Sequence, residues 1–108
     1  VEPIILLSIP EPEICSDGRV IGQVIHLDRF GNAITNIHRR NCRHEPAKAV
    51  AAGSIQTNGI RKTYADVAEG TAVALFGSSD HLEIAVNRGR ADERLQLKRG
   101  DAVTIHWS

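Results

Sequence analysis

The sequence predicts an all-β fold, a small Greek-key-like β-barrel of about six or seven short strands with at most one short helical turn. Three observations carry that expectation. β-Branched runs of strand length recur at close spacing, Gly, Asn and Asp turns separate them, and no long stretch has the period of an amphipathic helix. Parallel α/β folds are disfavoured, because each parallel crossover needs a helical pattern between its strands.

Residues 1–18 contain Pro3, Pro10 and Pro12, three of the four prolines. Proline removes a backbone donor and pushes its predecessor toward extended backbone, so this stretch reads as an extended linker or N-terminal arm. The barrel domain is expected over 19–108. Its first strand holds Val20, Ile21, Val24, Ile25 and Leu27, interrupted at Gly22, where a bulge or a close backbone approach is expected. Asp28-Arg29-Phe30-Gly31-Asn32 mixes turn formers with an aromatic and links this strand to a second one, Ala33 to Ile37.

His38 to His44 reads as a basic surface loop that ends at Pro46. Ala47 to Ala52 is ambiguous, since alanine favours helix but six residues make an unstable one. Asn58-Gly59 predicts a two-residue hairpin between Ser54–Thr57 and Ile60–Thr63. Further strands are expected at Ala72–Phe76, Leu82–Val86 and Ala102–Trp107, with Gly77-Ser78-Ser79-Asp80 as a turn and Ala91 to Leu95 as one helical turn capping the barrel. Val103 and Ile105 should share one face of the last strand, Thr104 and His106 the other.

The chain has 108 residues, enough for one hydrophobic core but not two. Its 13 Lys and Arg balance 13 Asp and Glu, which argues against general nucleic-acid binding. The longest aliphatic run, Ile4 to Leu7, is far shorter than the roughly 20 residues of a membrane span. Cys15 and Cys42 lack CxxC spacing, so a reducing cytoplasm fits, with neither a disulfide framework nor a structural zinc site. The sequence has no methionine, even at position 1, and is expected to be a piece of a longer protein.

No GxSxG, HExxH, P-loop or GxGxxG motif occurs. The histidines at 26, 38, 44, 81 and 106 are scattered, without the i, i+2 spacing that would put two on one strand face, so no metal site is expected and His26 and His106 read as half-buried strand residues. Arg39-Arg40-Asn41-Cys42-Arg43 could grip phosphate, but with neutral overall charge and four aromatics it reads as a solvated loop.

Two turns have richer chemistry. One presents a carboxylate (Asp28), an aromatic face (Phe30) and a carboxamide (Asn32); the other presents the hydroxyls of Ser78 and Ser79. A carboxamide can read the donor–acceptor edge of a purine while an aromatic stacks on its face, and an amine-and-carboxylate zwitterion would satisfy Asp28 and the Ser turn together. The plainer reading is that Asp28 and Asn32 cap a tight turn and Phe30 fills the core.

Gly22 to Ile37 reads GQVIHLDRFGNAITNI, and it resembles the G-x-V-x-x-x-D-x-F-G-N-x-x-T-N-I signature of the S-adenosyl-L-methionine hydroxide adenosyltransferases, the family that also contains fluorinating and chlorinating enzymes. Thr63-Tyr64-Ala65-Asp66-Val67, then Gly77 to Asn87, then Gly100-Asp101-Ala102-Val103 extend the resemblance in the same order, over nearly all of the chain after residue 18. It implies a two-domain enzyme whose C-terminal domain is a small β-barrel and whose larger N-terminal α/β domain positions hydroxide. This chain looks like the barrel alone, without catalytic residues of its own. The family's enzymes are trimers in which each active site lies between the α/β domain of one subunit and the barrel of its neighbour, so the expected partner is that domain, in the same or a neighbouring subunit of a homotrimer.

Carried over by matching position, the resemblance implies that Asp28 holds the amino group of the methionine moiety. Phe30 and Tyr64 would pack on the adenine, and Asn32 would bond its edge. Ser78, with Ser79 beside it, would meet the methionine carboxylate, and the backbone near Asn87 and Arg88 would close on the adenine. S-adenosyl-L-methionine is then substrate, and no cofactor is implied. The halogenating branch has Arg where this chain has Ser79 and again where it has Val86, which favours the hydroxide branch; many relatives have Gly where Asp80 stands. Apart from the resemblance, the residues also fit an autonomous barrel that binds a partner or serves oligomerisation without catalysis.

Overall fold

A computed structural model describes residues 10–107, with the side chains of Tyr64 and Asp92 outside the described set. Eight strands follow in chain order: β1 (Glu13–Ile14), β2 (Val20–Leu27), β3 (Ala33–His38), β4 (Ala49–Ala52), β5 (Ile55–Thr57), β6 (Ala72–Phe76), β7 (His81–Val86) and β8 (Ala102–His106). One helical turn, α1 (Ala91–Arg94), and two 3-10 turns at Arg39–Asn41 and Tyr64–Asp66 complete the described elements. The all-β class is the one expected.

The strands form one curved sheet in the order β5-β4-β8-β2-β3-β7-β6, with β1 added beside β2, and every strand pairing is antiparallel. Its two ends come together where the Arg61 N–H donates to the Ala74 carbonyl at 2.8 Å, nearly closing the barrel. β2 is the corner of the sheet. Val20 to Gln23 pair with β8, Val24 to Leu27 pair with β3, and the register shifts between Val24 and His26. Gly22 sits on the inside of the bend, where a Cβ would overlap Asn36 Oδ1 and come within 2.6 Å of Ile37 Cγ1. The expected close approach is therefore at Gly22 and the bulge follows it.

Alternation along the strands fills the barrel. Val24, Ile37, Leu82, Ile84, Val103 and Ile105 are at most 1% exposed and share one core, with Ala91 and Leu97 closing an end of it. Trp107 joins that core and donates its indole N–H to the Glu45 carbonyl at 3.1 Å, so its polar edge is satisfied. His26 and His106 lie half-buried on β2 and β8 as the sequence predicts.

The hairpin expected at Asn58-Gly59 lies one element earlier. β4 and β5 pair through Ala52↔Ile55, so Gly53-Ser54 makes the turn, with Gly53 at φ +59° in the first central position, where type II′ turns favour glycine. Gly59 takes positive φ but Asn58 does not, and a type I′ turn needs both. Residues 60–63 are not a strand; Arg61 alone makes an isolated bridge, to Leu75. The ambiguous alanine segment supplies the missing strand. β4 lies between β5 and β8 with Ala49, Val50 and Ala52 buried, and two ladders of hydrogen bonds outweigh alanine's helical preference.

Candidate functional site

Ile34 pairs across the sheet with His26 on β2 and with Glu83 on β7, so these three side chains share one face. Leu27 packs into the core, which puts Asp28 on the same face as His26. Leu82 and Ile84 likewise point inward, leaving His81 and Glu83 together on the outside of β7. One outer face of the barrel thus runs from the β2–β3 loop to the β6–β7 turn.

At its first end, Asp28 organises the loop. Asp28 Oδ1 accepts the backbone N–H of Phe30 and of Asn32, each at 2.9 Å, and Asp28 Oδ2 lies 3.4 Å from the Asn32 carboxamide nitrogen. Gly31 takes φ +83° to close the turn. The capping half of the plainer reading is therefore present, but its other half is not. Phe30 is 62% exposed instead of filling the core, with the Arg29 guanidinium 5.0 Å from its ring centroid. Asn32 itself is buried.

At the second end, Gly77-Ser78-Ser79-Asp80 turns β6 into β7, with Gly77 N–H donating to the His81 carbonyl at 3.0 Å. Ser78 and Ser79 are exposed. Asp80 occupies the left-handed region at φ +61°, which a short polar side chain tolerates, and its carboxylate pairs with Arg39 Nε at 3.2 Å. That contact and the stacking of Arg39 4.4 Å over the Phe76 ring tie part of the basic loop to the barrel, while Arg40 and Arg43 are exposed. Ser79 Oγ lies 3.1 Å from His81 Nδ1.

Between the ends stands Glu83, absent from the residues singled out by sequence. Its carboxylate lies against Gly77, where a Cβ would overlap it. Burial first, and the Asp28 charge second, raise its proton affinity above the usual carboxylate range. His81 is shifted the other way by burial, with the His38 and Arg40 charges adding to it. His38 and His81 are register partners whose rings meet edge to face at 5.2 Å. The outward position of Glu83 was legible in the alternation of β7, whereas the His pair required knowing which strands lie together.

The remaining predicted positions lie nearby or outside the described residues. Asn87 follows β7 and donates its side-chain N–H to the Val67 carbonyl at 2.9 Å. Arg88 is exposed at φ +56°, and Arg90 reaches back to the Arg29 carbonyl at 2.9 Å, tying this segment to the Asp28 loop. The Tyr64 side chain lies outside the described residues. Among the described residues no three His, Cys, Asp or Glu side chains are grouped to hold a metal, and no helix is long and apolar enough to cross a membrane.

The family model for the SAM hydroxide adenosyltransferase C-terminal domain matches residues 22–104, which contain the face described above. The chain belongs to this family. It is 42% identical over 88 residues to the (R)-S-adenosyl-L-methionine hydrolase of Thermus thermophilus, a match that covers 78% of this chain and 31% of the relative. The domain thus spans about a third of that protein's length. Among solved structures it resembles an uncharacterized conserved protein from Thermotoga maritima, with TM-score 0.73, 29% identity, 98% of this chain covered and 42% of the other. It also resembles a conserved hypothetical protein from Thermus thermophilus, with TM-score 0.67, 42% identity, 79% of this chain covered and 34% of the other.

Proposed function

We propose that this SAM hydroxide adenosyltransferase domain is the adenosyl- and methionine-binding half-site of an enzyme that hydrolyses S-adenosyl-L-methionine to adenosine and L-methionine. The observation that carries the reading is the shared outer face, on which the Asp28–Asn32 loop and the Ser78–Ser79 turn are connected through Glu83 and His81. Asp28 Oδ1 accepts two backbone donors, and among the described residues Oδ2 meets the Asn32 carboxamide at the long distance of 3.4 Å, which leaves capacity for an ammonium group. Exposed Phe30 offers an aromatic face to adenine, with Tyr64 as its proposed companion, and Asn32 offers a carboxamide for the base edge. Ser78 and Ser79 meet the carboxylate, and the backbone at Asn87 and Arg88 closes on the base.

In this reaction hydroxide displaces the sulfonium sulfur at the ribose C5′. The sulfur departs neutral, so no general acid is required, and orientation and desolvation dominate the rate. This domain orients the substrate. An α/β domain of the same or a neighbouring subunit, in a cytoplasmic homotrimer, positions the hydroxide. Stacking at about 1–3 kcal/mol and a few polar contacts must offset at least about 4 kcal/mol of lost freedom, so the isolated domain binds at roughly millimolar strength and does not turn over.

The test is turnover of S-adenosyl-L-methionine by the full-length protein with Asp28→Asn and Asn32→Ala. Each variant is expected to lose at least about tenfold in kcat/KM while remaining folded at the assay temperature. Wild-type rates in both would end the reading, as would micromolar adenosine affinity for the isolated domain.

A further inference from the structure

The contact between His81 and Ser79 lies within the proposed ligand face, yet neither the family signature nor the charge pattern assigns His81 a task. The residue is 7% exposed, and Nδ1 lies 3.1 Å from Ser79 Oγ. His38 supports it from the neighbouring strand, as its register partner and with the ring centroids 5.2 Å apart at 84°. His38 is itself fixed, because its Nδ1 accepts the Arg40 backbone N–H at 3.0 Å and its backbone N–H donates to Asn41 Oδ1 at 2.9 Å. The exposed Ser hydroxyl is therefore held by a buried ring, which is held by a second ring locked to a 3-10 turn.

From this geometry we infer that His81 is a positioning residue, which orients the Ser79 hydroxyl to donate to an anionic group of the ligand. The inference rests on the proposed reading of the face and adds a residue to it.

The chemistry lies in which atom carries the hydrogen. When Nδ1 is bare it accepts from the Ser79 hydroxyl, whose remaining lone pairs repel a carboxylate. When Nδ1 carries hydrogen it donates to Ser79 Oγ, and the hydroxyl hydrogen is free for the ligand. A carboxylate on Ser79 therefore selects the Nδ1–H form and, by linkage, favours the protonated ring. Burial, His38 and Arg40 oppose that charge, while the Ser79 backbone and Asp80 favour it. Arg39 faces the same turn but is paired with Asp80, Glu83 lies two residues along the same face of β7, and the Cys42 thiol donates to the His38 carbonyl at 3.7 Å. Anion affinity should thus strengthen as pH falls through a range below the ordinary histidine value.

The experiment measures KM and kcat for S-adenosyl-L-methionine in the full-length protein from about pH 5 to about pH 8, with adenosine as an inhibitor that lacks the carboxylate. His81→Phe should raise KM about tenfold, leave kcat within about threefold and leave adenosine inhibition unchanged. His81→Asn places an amide donor near the Nδ1 position and does not titrate. It should keep KM within about threefold of wild type and remove the part of the pH dependence that belongs to the ring. Ser79→Ala should raise KM as His81→Phe does, and the two together no further than either alone. Wild-type KM in His81→Phe, or additive effects of the pair, would overturn the inference. Should the Phe variant fail to fold, an unchanged pH profile in His81→Asn would overturn it instead. If Asp28→Asn impairs turnover and His81→Phe does not, only the role of His81 fails; if neither does, the reading of the whole face fails.

Discussion

Glu83 lays its carboxylate against the backbone of Gly77, so closely that a Cβ at position 77 would overlap it. The contact joins β7 to the β6–β7 turn through the one residue type that leaves room for it, and it brings an acid between the two turns of the candidate site. Among the described residues no hydrogen-bond donor serves that carboxylate, so its charge is poorly compensated.

The Glu83 proton affinity is raised on folding, so its favourable contribution is present below the ordinary value of 4.5 and is lost as pH rises through the folded value. Glu83→Gln should therefore stabilise the domain near neutral pH by a fraction of a kcal/mol, and the gain should vanish in acid. Urea unfolding at about pH 7 and about pH 4 measures it. A variant less stable than wild type at neutral pH would show that the carboxylate is compensated after all.

Asp28 has a structural and a proposed chemical task, and two substitutions separate them. Asp28→Ala removes the acceptor for the N–H groups of Phe30 and Asn32 and should cost about 1–3 kcal/mol in denaturant unfolding. Asp28→Asn retains a carbonyl oxygen for both donors and should lose less than about 1 kcal/mol, since only the charge and the long Oδ2 contact to Asn32 are removed. Equal losses in the two variants would assign the stabilisation to charge instead of turn geometry.

Gly22 allows β2 to bend against β3. Gly22→Ala would force a methyl onto Asn36 Oδ1 and Ile37 Cγ1, beside a buried carboxamide that accepts the Gln23 N–H at 2.8 Å and donates to the Pro10 carbonyl at 2.7 Å. Because the surroundings are packed, a loss of about 1–3 kcal/mol is expected in urea unfolding. A neutral result would mean that the corner relaxes freely.

The Cys42 thiol is pushed up to about 11 by burial, with Arg39 only partly countering it. Its thiolate should be scarce at about pH 8, and its labelling by a thiol reagent roughly a hundredfold slower than that of a free cysteine. Mass spectrometry after timed labelling reads the rate site by site. Fast modification of Cys42 would require the loop around it to open.

The hairpin and the histidines mark where local reading stopped. Asn58-Gly59 has the composition of a tight turn, but Thr57 Oγ1 donates to the Gly59 carbonyl at 3.1 Å and Arg61 goes on to β6, so the segment crosses the seam instead of folding back. Gly53-Ser54 turns the chain because Ala49–Ala52 gains partners on both sides. His38 and His81 lie 43 positions apart in the chain, and only the β3–β7 register makes them neighbours.

What the sequence determined by itself was local: strand-length runs at β2, β3, β6, β7 and β8, the chemistry gathered in residues 28–32 and 77–80, and the motif that carries the family resemblance. Tertiary structure alone decided the closing of the sheet, the identity of the β4–β5 turn, and the common face that connects Asp28, Glu83, His81 and Ser79. The physical reason is range. Alternation and turn preference act over a few residues, whereas strand order and register are set by which faces can be buried together, a condition on the whole chain.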